Sequence, residues 1–178
     1  MPTITHPTGQ STYYEINDFT DPWKPHETIV IQHGFARHSA FWYHWVPALS
    51  RHYRVIRRDA RGHGKSSCPL PSYDYSVDTI LGEIVDMFDQ LAQQKVHFLG
   101  ESTGVIFAEA LAAKHGDRLF SVTTFSTPLF LPVATQNSLA FGHGSWPAAC
   151  RELGARGYAE SAAKALGTDN MSDKAYLT

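Results

Sequence analysis

The sequence predicts an α/β fold with a mostly parallel sheet and helices on both faces, and three observations carry that prediction. Thr28-Ile29-Val30-Ile31-Gln32 is a continuous β-branched run, the kind that fills a strand buried on both faces. Strand-like runs alternate with amphipathic stretches from Ser11 to Phe125, the rhythm of parallel strands joined by crossover helices. Gly100-Glu101-Ser102-Thr103-Gly104 fits G-x-S-x-G, with a strand-like run, Lys95 to Leu99, before it and an alanine-rich helical stretch, Val105 to Lys114, after it. A serine at so tight a turn has a strained backbone, which is tolerable where the residues two before and two after carry no side chain.

In chain order, Ser11 to Phe19 alternates and suits a first strand, and Asp21-Pro22-Trp23-Lys24-Pro25 breaks it as a turn. Residues 28–32 are the buried strand, closed by His33-Gly34-Phe35. Phe41, Trp42, Trp45, Val46 and Leu49 recur at near-helical spacing, so Ala40 to Arg51 reads as a helix that Pro47 kinks or interrupts. Tyr53 to Arg57 is the next strand, followed by Asp59-Ala60-Arg61-Gly62-His63-Gly64-Lys65-Ser66. Asp78 to Gln94 is the clearest helix, with Ile80, Leu81, Ile84, Val85, Phe88 and Leu91 on one stripe and carboxylates opposite. After the helix that follows the elbow, Leu119 to Phe125 supplies one more strand. Beyond Pro128 the character changes, and Trp146 to Leu166 reads as one or two helices with no strand after them. Two regions follow: a core over residues 1–127 and a helical segment over 128–178.

Composition excludes several classes of function. With 17 acidic and 15 basic residues in 178, the net charge of −2 is too near neutral for a nucleic-acid or basic membrane-binding surface. No apolar run approaches the roughly 20 residues that cross a bilayer, and Met1 to Gln10 lacks a signal-peptide pattern, so the expected location is cytoplasmic. Cys68 and Cys150 read as two free thiols rather than a disulfide. No spacing suggests a metal site and no glycine-rich phosphate loop is present, so no cofactor is expected. Arg51, Arg54, Arg57, Arg58 and Arg61 read as a solvated strand edge with loop salt bridges.

Three motifs together resemble the α/β-hydrolase family: the elbow, His33-Gly34-Phe35 at the end of a buried strand, and Asp59-Ala60-Arg61-Gly62-His63-Gly64-Lys65-Ser66, which is similar to that family's D-x-R-G-x-G-x-S segment. The resemblance covers about Ser11 to Phe125 and places Pro128 onward where members insert a cap. It implies Ser102 as nucleophile, with the amides of Phe35 and Thr103 as oxyanion donors. His33 and Gly34, together with Trp146 from the cap, are the implied substrate-side residues. Relatives that open epoxides use an aspartate where this chain has Ser102, so serine implies acyl transfer on a small hydrophobic ester or lactone. Cofactor-free haloperoxidases and carbon-carbon bond hydrolases share the elbow and stay open, as does a catalytically weak ligand-binding or regulatory protein on the same fold.

In that family the chain order is Ser, then Asp or Glu, then His, and here the last two are missing from their places. His115 and Asp117 lie about 20 Å from Ser102 along the following helix. His97, at the start of the strand that ends at the elbow, is about 16 Å away. Glu101 reads as a polar neighbour, His33, His38 and His63 as loop hydrogen-bonding groups, Asp59 as loop-fixing. His143 is the one histidine in lawful order within a movable segment. A sheet ending at Leu119 to Phe125 would leave an open edge. The expectation is therefore an N-terminal part of a longer hydrolase, its acid and base supplied by later sequence, a separate C-terminal chain or another copy.

Overall fold

The structure, a computed structural model, describes residues 2–69, 71–127 and 131–165. The chain divides into two units, residues 1–127 and 128–178. Six strands of the first unit form one sheet: β1 (Thr3–Thr5), β2 (Ser11–Asn17), β3 (Glu27–Gln32), β4 (Tyr53–Arg58), β5 (Val96–Glu101) and β6 (Leu119–Phe125). Their order is β1-β2-β4-β3-β5-β6. The pairs β1–β2 and β2–β4 are antiparallel, while β4, β3, β5 and β6 run parallel. The mostly parallel sheet is thus the one the sequence predicts; the three-residue β1 is an addition, too short to leave a pattern.

β3 is central because its alternating side chains feed both faces. Val30, opposite Ile56 of β4 and Phe98 of β5, joins a core with Leu81, Ile84, Met87, Phe88, Ala108 and Leu111. These come from α2 (Val77–Gln90) and α3 (Thr103–His115). Ile29 and Ile31 point the other way and pack with Val55, Leu99 and Trp42. The two crossovers explain the division. β3 connects to β4 on one side, then β4 returns through α2 to β5 on the other, and right-handed crossovers in opposite directions put their helices on opposite faces. The winding therefore reverses at β3, and open α/β sheets bind ligands at the carboxyl ends of the strands flanking such a point.

The segment between β3 and β4 departs from the sequence reading. Ser39–Trp45 is a 3-10 helix capped by the His38 side chain, and α1 (Val46–Leu49) follows it. Pro47 lies in the first turn of α1, where its missing N–H would have had no helical partner, so it starts the α-helix instead of kinking one. Trp42 is buried at 3% exposure, but Tyr43 and Trp45 face outward.

A second departure concerns charge. Glu83 lies on α2 among its buried residues, not on the solvent side, and Arg57, Arg58 and Arg61 are buried rather than solvated. Arg61 Nη2 meets Glu83 Oε2 at 2.5 Å, with the two side chains 5% and 2% exposed. Thr8 Oγ1 donates to the other Glu83 oxygen at 2.9 Å, and Arg61 Nη1 donates to the Ser11 carbonyl. Beside them His6 bridges Asp86 and Thr12. Its pKa is lowered by burial, against the hydrogen bond to the Asp86 carboxylate that would raise it. These contacts tie the amino-terminal strands to α2 through paired polar groups, which lowers the cost of burying their charge.

β6 closes the order at one edge, and its pattern is unlike that of β3. Phe120, Ser121, Thr123 and Thr124 are exposed, with Phe120 at 50%. In the second unit, α4 spans Val133–Ser138 and α5 spans Trp146–Ala165, broken at Gly154, whose φ of 65° interrupts the helix. Tyr158 is buried, donates to the Leu139 carbonyl at 3.2 Å and stacks edge-on against Phe141. No helix among the described residues is long and apolar enough to cross a membrane.

Removing one partner of a buried ion pair strands the other, so Glu83→Ala should cost about 3–5 kcal/mol. Urea unfolding checks this; a loss below about 1 kcal/mol, the range of an exposed pair, contradicts the buried assignment.

Candidate active site

Ser102 follows β5 and caps the N-terminus of α3 with φ 54° and ψ −125°, a backbone conformation that non-glycine residues rarely adopt. The flanking glycines make it possible. A Cβ on Gly100 would lie 2.5 Å from the Gly104 carbonyl oxygen, and one on Gly104 would lie 2.6 Å from the Gln32 carbonyl oxygen. The turn is held on its other side by β6, since the Ser102 amide donates to the Phe125 carbonyl at 3.0 Å. Thr103 is the first residue of α3, where the leading amides have no partner within the helix and the helix dipole favours negative charge.

The loop leaving β3 presses against this turn. A Cβ on Gly34 would sit 2.5 Å from Ser102 Cβ and 2.9 Å from the Glu101 carbonyl oxygen. Only glycine lets the two backbones approach so closely. Phe35, next along, is half-buried, and Ala36 turns the chain with φ 59°. The Glu101 side chain turns back under the loop: its Oε2 accepts the Gly34 N–H at 3.0 Å and its Oε1 lies 3.4 Å from Arg37 Nη1. In the sequence Glu101 is only the variable residue before the serine; its partner comes from the loop after β3, 67 residues earlier.

His33 is 1% exposed. Its Nδ1 faces the Gly34 carbonyl at 2.6 Å and its Nε2 accepts the Ala60 N–H at 2.8 Å. Those partners fix the neutral tautomer with the proton on Nδ1. Burial pushes its pKa down to about 3, against the Gly34 hydrogen bond that raises it. Both ring nitrogens are spent joining the β3 loop to the loop after β4, so His33 stands behind the site as a strut, not at a substrate-facing position. Gln32 continues the join, accepting from Arg58 Nη1 and donating to the His33 carbonyl at 2.9 Å. Burial and the nearby Arg61 charge lower Arg58 to about 10, still a cation at neutral pH.

Asp59 fixes the loop after β4. Its carboxylate accepts the amides of Ser39 at 2.6 Å and Lys65 at 2.8 Å, while Ser66 donates to its carbonyl at 2.7 Å. His63 Nε2 accepts the Ala36 amide at 3.2 Å, tying that loop to the turn beyond Phe35. The structure thus gathers His33, Gly34, Phe35, Ser102 and Thr103 at the carboxyl ends of β3 and β5. Trp146 belongs to the second unit, half-buried at the start of α5. His143 lies there too, 2.6 Å from Glu152 Oε2, and His97 bonds Ser121 and Glu27, each at 2.8 Å. Clefts of about 990 and 630 Å³ in the first unit lie elsewhere, around Glu27, Lys95 and Phe120 and around Phe19, Tyr43 and Pro47. No group of three or more candidate metal ligands occurs among the described residues.

A model of the alpha/beta hydrolase fold matches residues 27–155. The chain belongs to the α/β-hydrolase fold family. Within it, RutD of Caulobacter segnis, a protein named for carbamate hydrolysis, is 33% identical over 116 residues, covering 65% of this chain and 43% of RutD. Epoxide hydrolase B of Mycobacterium tuberculosis is 32% identical over 101 residues, covering 56% of this chain and 28% of that protein. The crystal structure of the enol-lactonase from Burkholderia xenovorans LB400 superimposes with a TM-score of 0.62 at 31% identity, covering 68% of this chain and 45% of the lactonase. The chain spans less than half the length of these relatives, and the family fold is what they share with it.

Two outcomes test this geometry. Ala at position 104 must displace the backbone of β3, so Gly104→Ala should destabilise the protein by about 1–3 kcal/mol; a thermal melt like that of the parent contradicts the close approach. An unfolded histidine takes up its proton near pH 6.5 whereas folded His33 does so only near 3. The unfolded state then binds more protons between those values, so His33 contributes stability that is complete above pH 6.5 and lost as pH falls through that window. Nitrogen-detected NMR should show its ring neutral, with the proton on Nδ1, down to about pH 4.5; titration near 6.5 contradicts the buried strut.

Proposed function

We propose that this chain carries the nucleophile half of a serine hydrolase acting on a carboxylic ester or lactone. The observation that carries the reading is the left-handed Ser102 at the head of α3 with Gly34 packed against it. In this reading the turn carries the serine hydroxyl above the sheet, with the Phe35 and Thr103 peptide units beside it. In this reading Ser102 Oγ attacks the carbonyl carbon, its proton passes to a base, and the carbonyl oxygen becomes an oxyanion held by the Phe35 and Thr103 amides. The leaving alcohol departs with a proton, giving an acyl-enzyme that water hydrolyses. Serine favours acyl transfer because its alkoxide-like attack on a carbonyl yields an ester that water can cleave.

The base and its orienting acid belong, in this proposal, to sequence outside the described site. Two observations support that assignment. The relatives are more than twice as long as the segment they share with this chain. β6, a parallel strand, leaves Phe120, Ser121, Thr123 and Thr124 uncovered, where parallel sheets are ordinarily covered on both faces. The C-terminal half of the fold, from the same product or a separate chain, would continue the sheet there, and residues 128–178 would belong to the cap.

The test uses the natural gene product that contains this chain. A fluorophosphonate should label it at Ser102, and Ser102→Ala should abolish labelling and lower turnover of a p-nitrophenyl ester on the order of 10⁴-fold or more. A folded product whose Ser102 resists the probe contradicts the hydrolase reading and favours a ligand-binding protein on the same fold.

A further inference from the structure

The carboxylate of Glu101 is the group in the site that the chemistry above leaves without a task. It is 7% exposed and adjoins the nucleophile in sequence, yet its side chain runs away from the serine hydroxyl to the β3 loop. Burying a carboxylate is costly unless it is bonded and compensated. Here both conditions are met by groups of one loop: the Gly34 amide at 3.0 Å on Oε2 and the Arg37 guanidinium 3.4 Å from Oε1. Arg37 is itself held, its guanidinium 3.9 Å above the Phe41 ring, and the positive φ of Ala36 turns the chain so that Arg37 comes back toward Glu101.

We propose that Glu101 is a positioning residue for the oxyanion hole: by accepting the Gly34 N–H it fixes the His33–Gly34 peptide from which the Phe35 amide is carried, and Arg37 cancels the charge it brings. This rests on the hydrolase reading of Ser102. The mechanical reason is that the Gly34 N–H belongs to the peptide unit just before the one that carries the Phe35 N–H: with the first unit fixed by Glu101 and Gly34 itself packed against Ser102, only the two backbone torsions of Gly34 remain to turn its neighbour's N–H. Gly34 has no side chain of its own to hold it, and glycine is the residue with most freedom to move. The carboxylate replaces that missing restraint with a charge-assisted hydrogen bond. The electrostatic reason for Arg37 is that an uncompensated carboxylate one residue from the nucleophile would oppose the developing oxyanion. Paired with a guanidinium, it presents no net charge to it.

The variants Glu101→Ala, Glu101→Gln and Arg37→Ala separate the hydrogen bond from the charge. Losing an oxyanion donor outright costs about 10²–10³ in kcat, so a donor that is loosened should cost roughly 10–100-fold. Glu101→Ala is expected to lose that much kcat with KM within about threefold, and hydrogen exchange of the segment 33–37 should quicken. Glu101→Gln keeps a carbonyl acceptor for Gly34 and should stay within about fivefold of the parent. Arg37→Ala should slow turnover in the parent background and have no effect on top of Glu101→Gln, where no charge remains to cancel. If Glu101→Ala fails to fold, that last pair of comparisons decides alone. Parental kcat in a folded Glu101→Ala, a Glu101→Gln as slow as Glu101→Ala, or an Arg37 effect that persists beside Glu101→Gln overturns the assignment. Were the parent itself to show no Ser102-dependent turnover, the hydrolase reading would fall and this role with it; parental turnover with any of the preceding results removes this role only.

Discussion

Everything in the site depends on one steric contact, that between the backbone at Gly34 and the turn at Ser102. A serine with φ 54° costs on the order of 1–3 kcal/mol relative to a relaxed residue, and such strain survives only where the surroundings leave no alternative. Here the surroundings do so from three sides. Gly100 and Gly104 meet across the inside of the turn, the Gln32 backbone blocks Gly104 from below, and β6 holds the Ser102 amide. The strain is thus a product of packing between β3, β5 and α3.

Beneath that contact lies a set of polar groups that are buried because the loops need them. His33 and Asp59 accept or donate to backbone amides of segments that have no regular partner of their own, which is how irregular chain can be buried without orphaned polar groups. Arg58 and Gln32 link the ends of β4 and β3, and Arg61 carries the same network on to Glu83 of α2. Sheet, loops and helix are joined by fixed dipoles and paired charges that run from the end of β3 to α2. Preorganisation of that kind is what an oxyanion hole requires, since its donors must not have to rearrange when charge develops.

How much of this the sequence discloses depends on whether the cause is local. The elbow is legible because the glycines at 100 and 104 answer a clash within five residues. The β-branched run of β3 and the apolar stripe of α2 are legible because period and residue type coincide. Glu83 is misread as solvent-facing because a carboxylate is ordinarily exposed; what buries it is Arg61, 22 residues earlier in the sequence, a pairing with no sequence signal. Pro47 has the same chemistry whether it breaks a helix or begins one, and only the preceding 3-10 turn decides. His33 and Glu101 carry reactive side chains, so their type suggests chemistry. Their positions, each bonded to the loop backbone, show support instead. Both depend on the loop after β3 folding against its neighbours, which no local pattern encodes.

The most direct measurement of the central claim is a crystal structure of the natural product after reaction with a phosphonate, which mimics the tetrahedral intermediate. Phosphorus is expected to be bonded to Ser102 Oγ, with one phosphonyl oxygen about 2.7–3.1 Å from both the Phe35 and Thr103 amide nitrogens. A phosphonyl oxygen directed to solvent, or phosphorus on any other side chain, contradicts it.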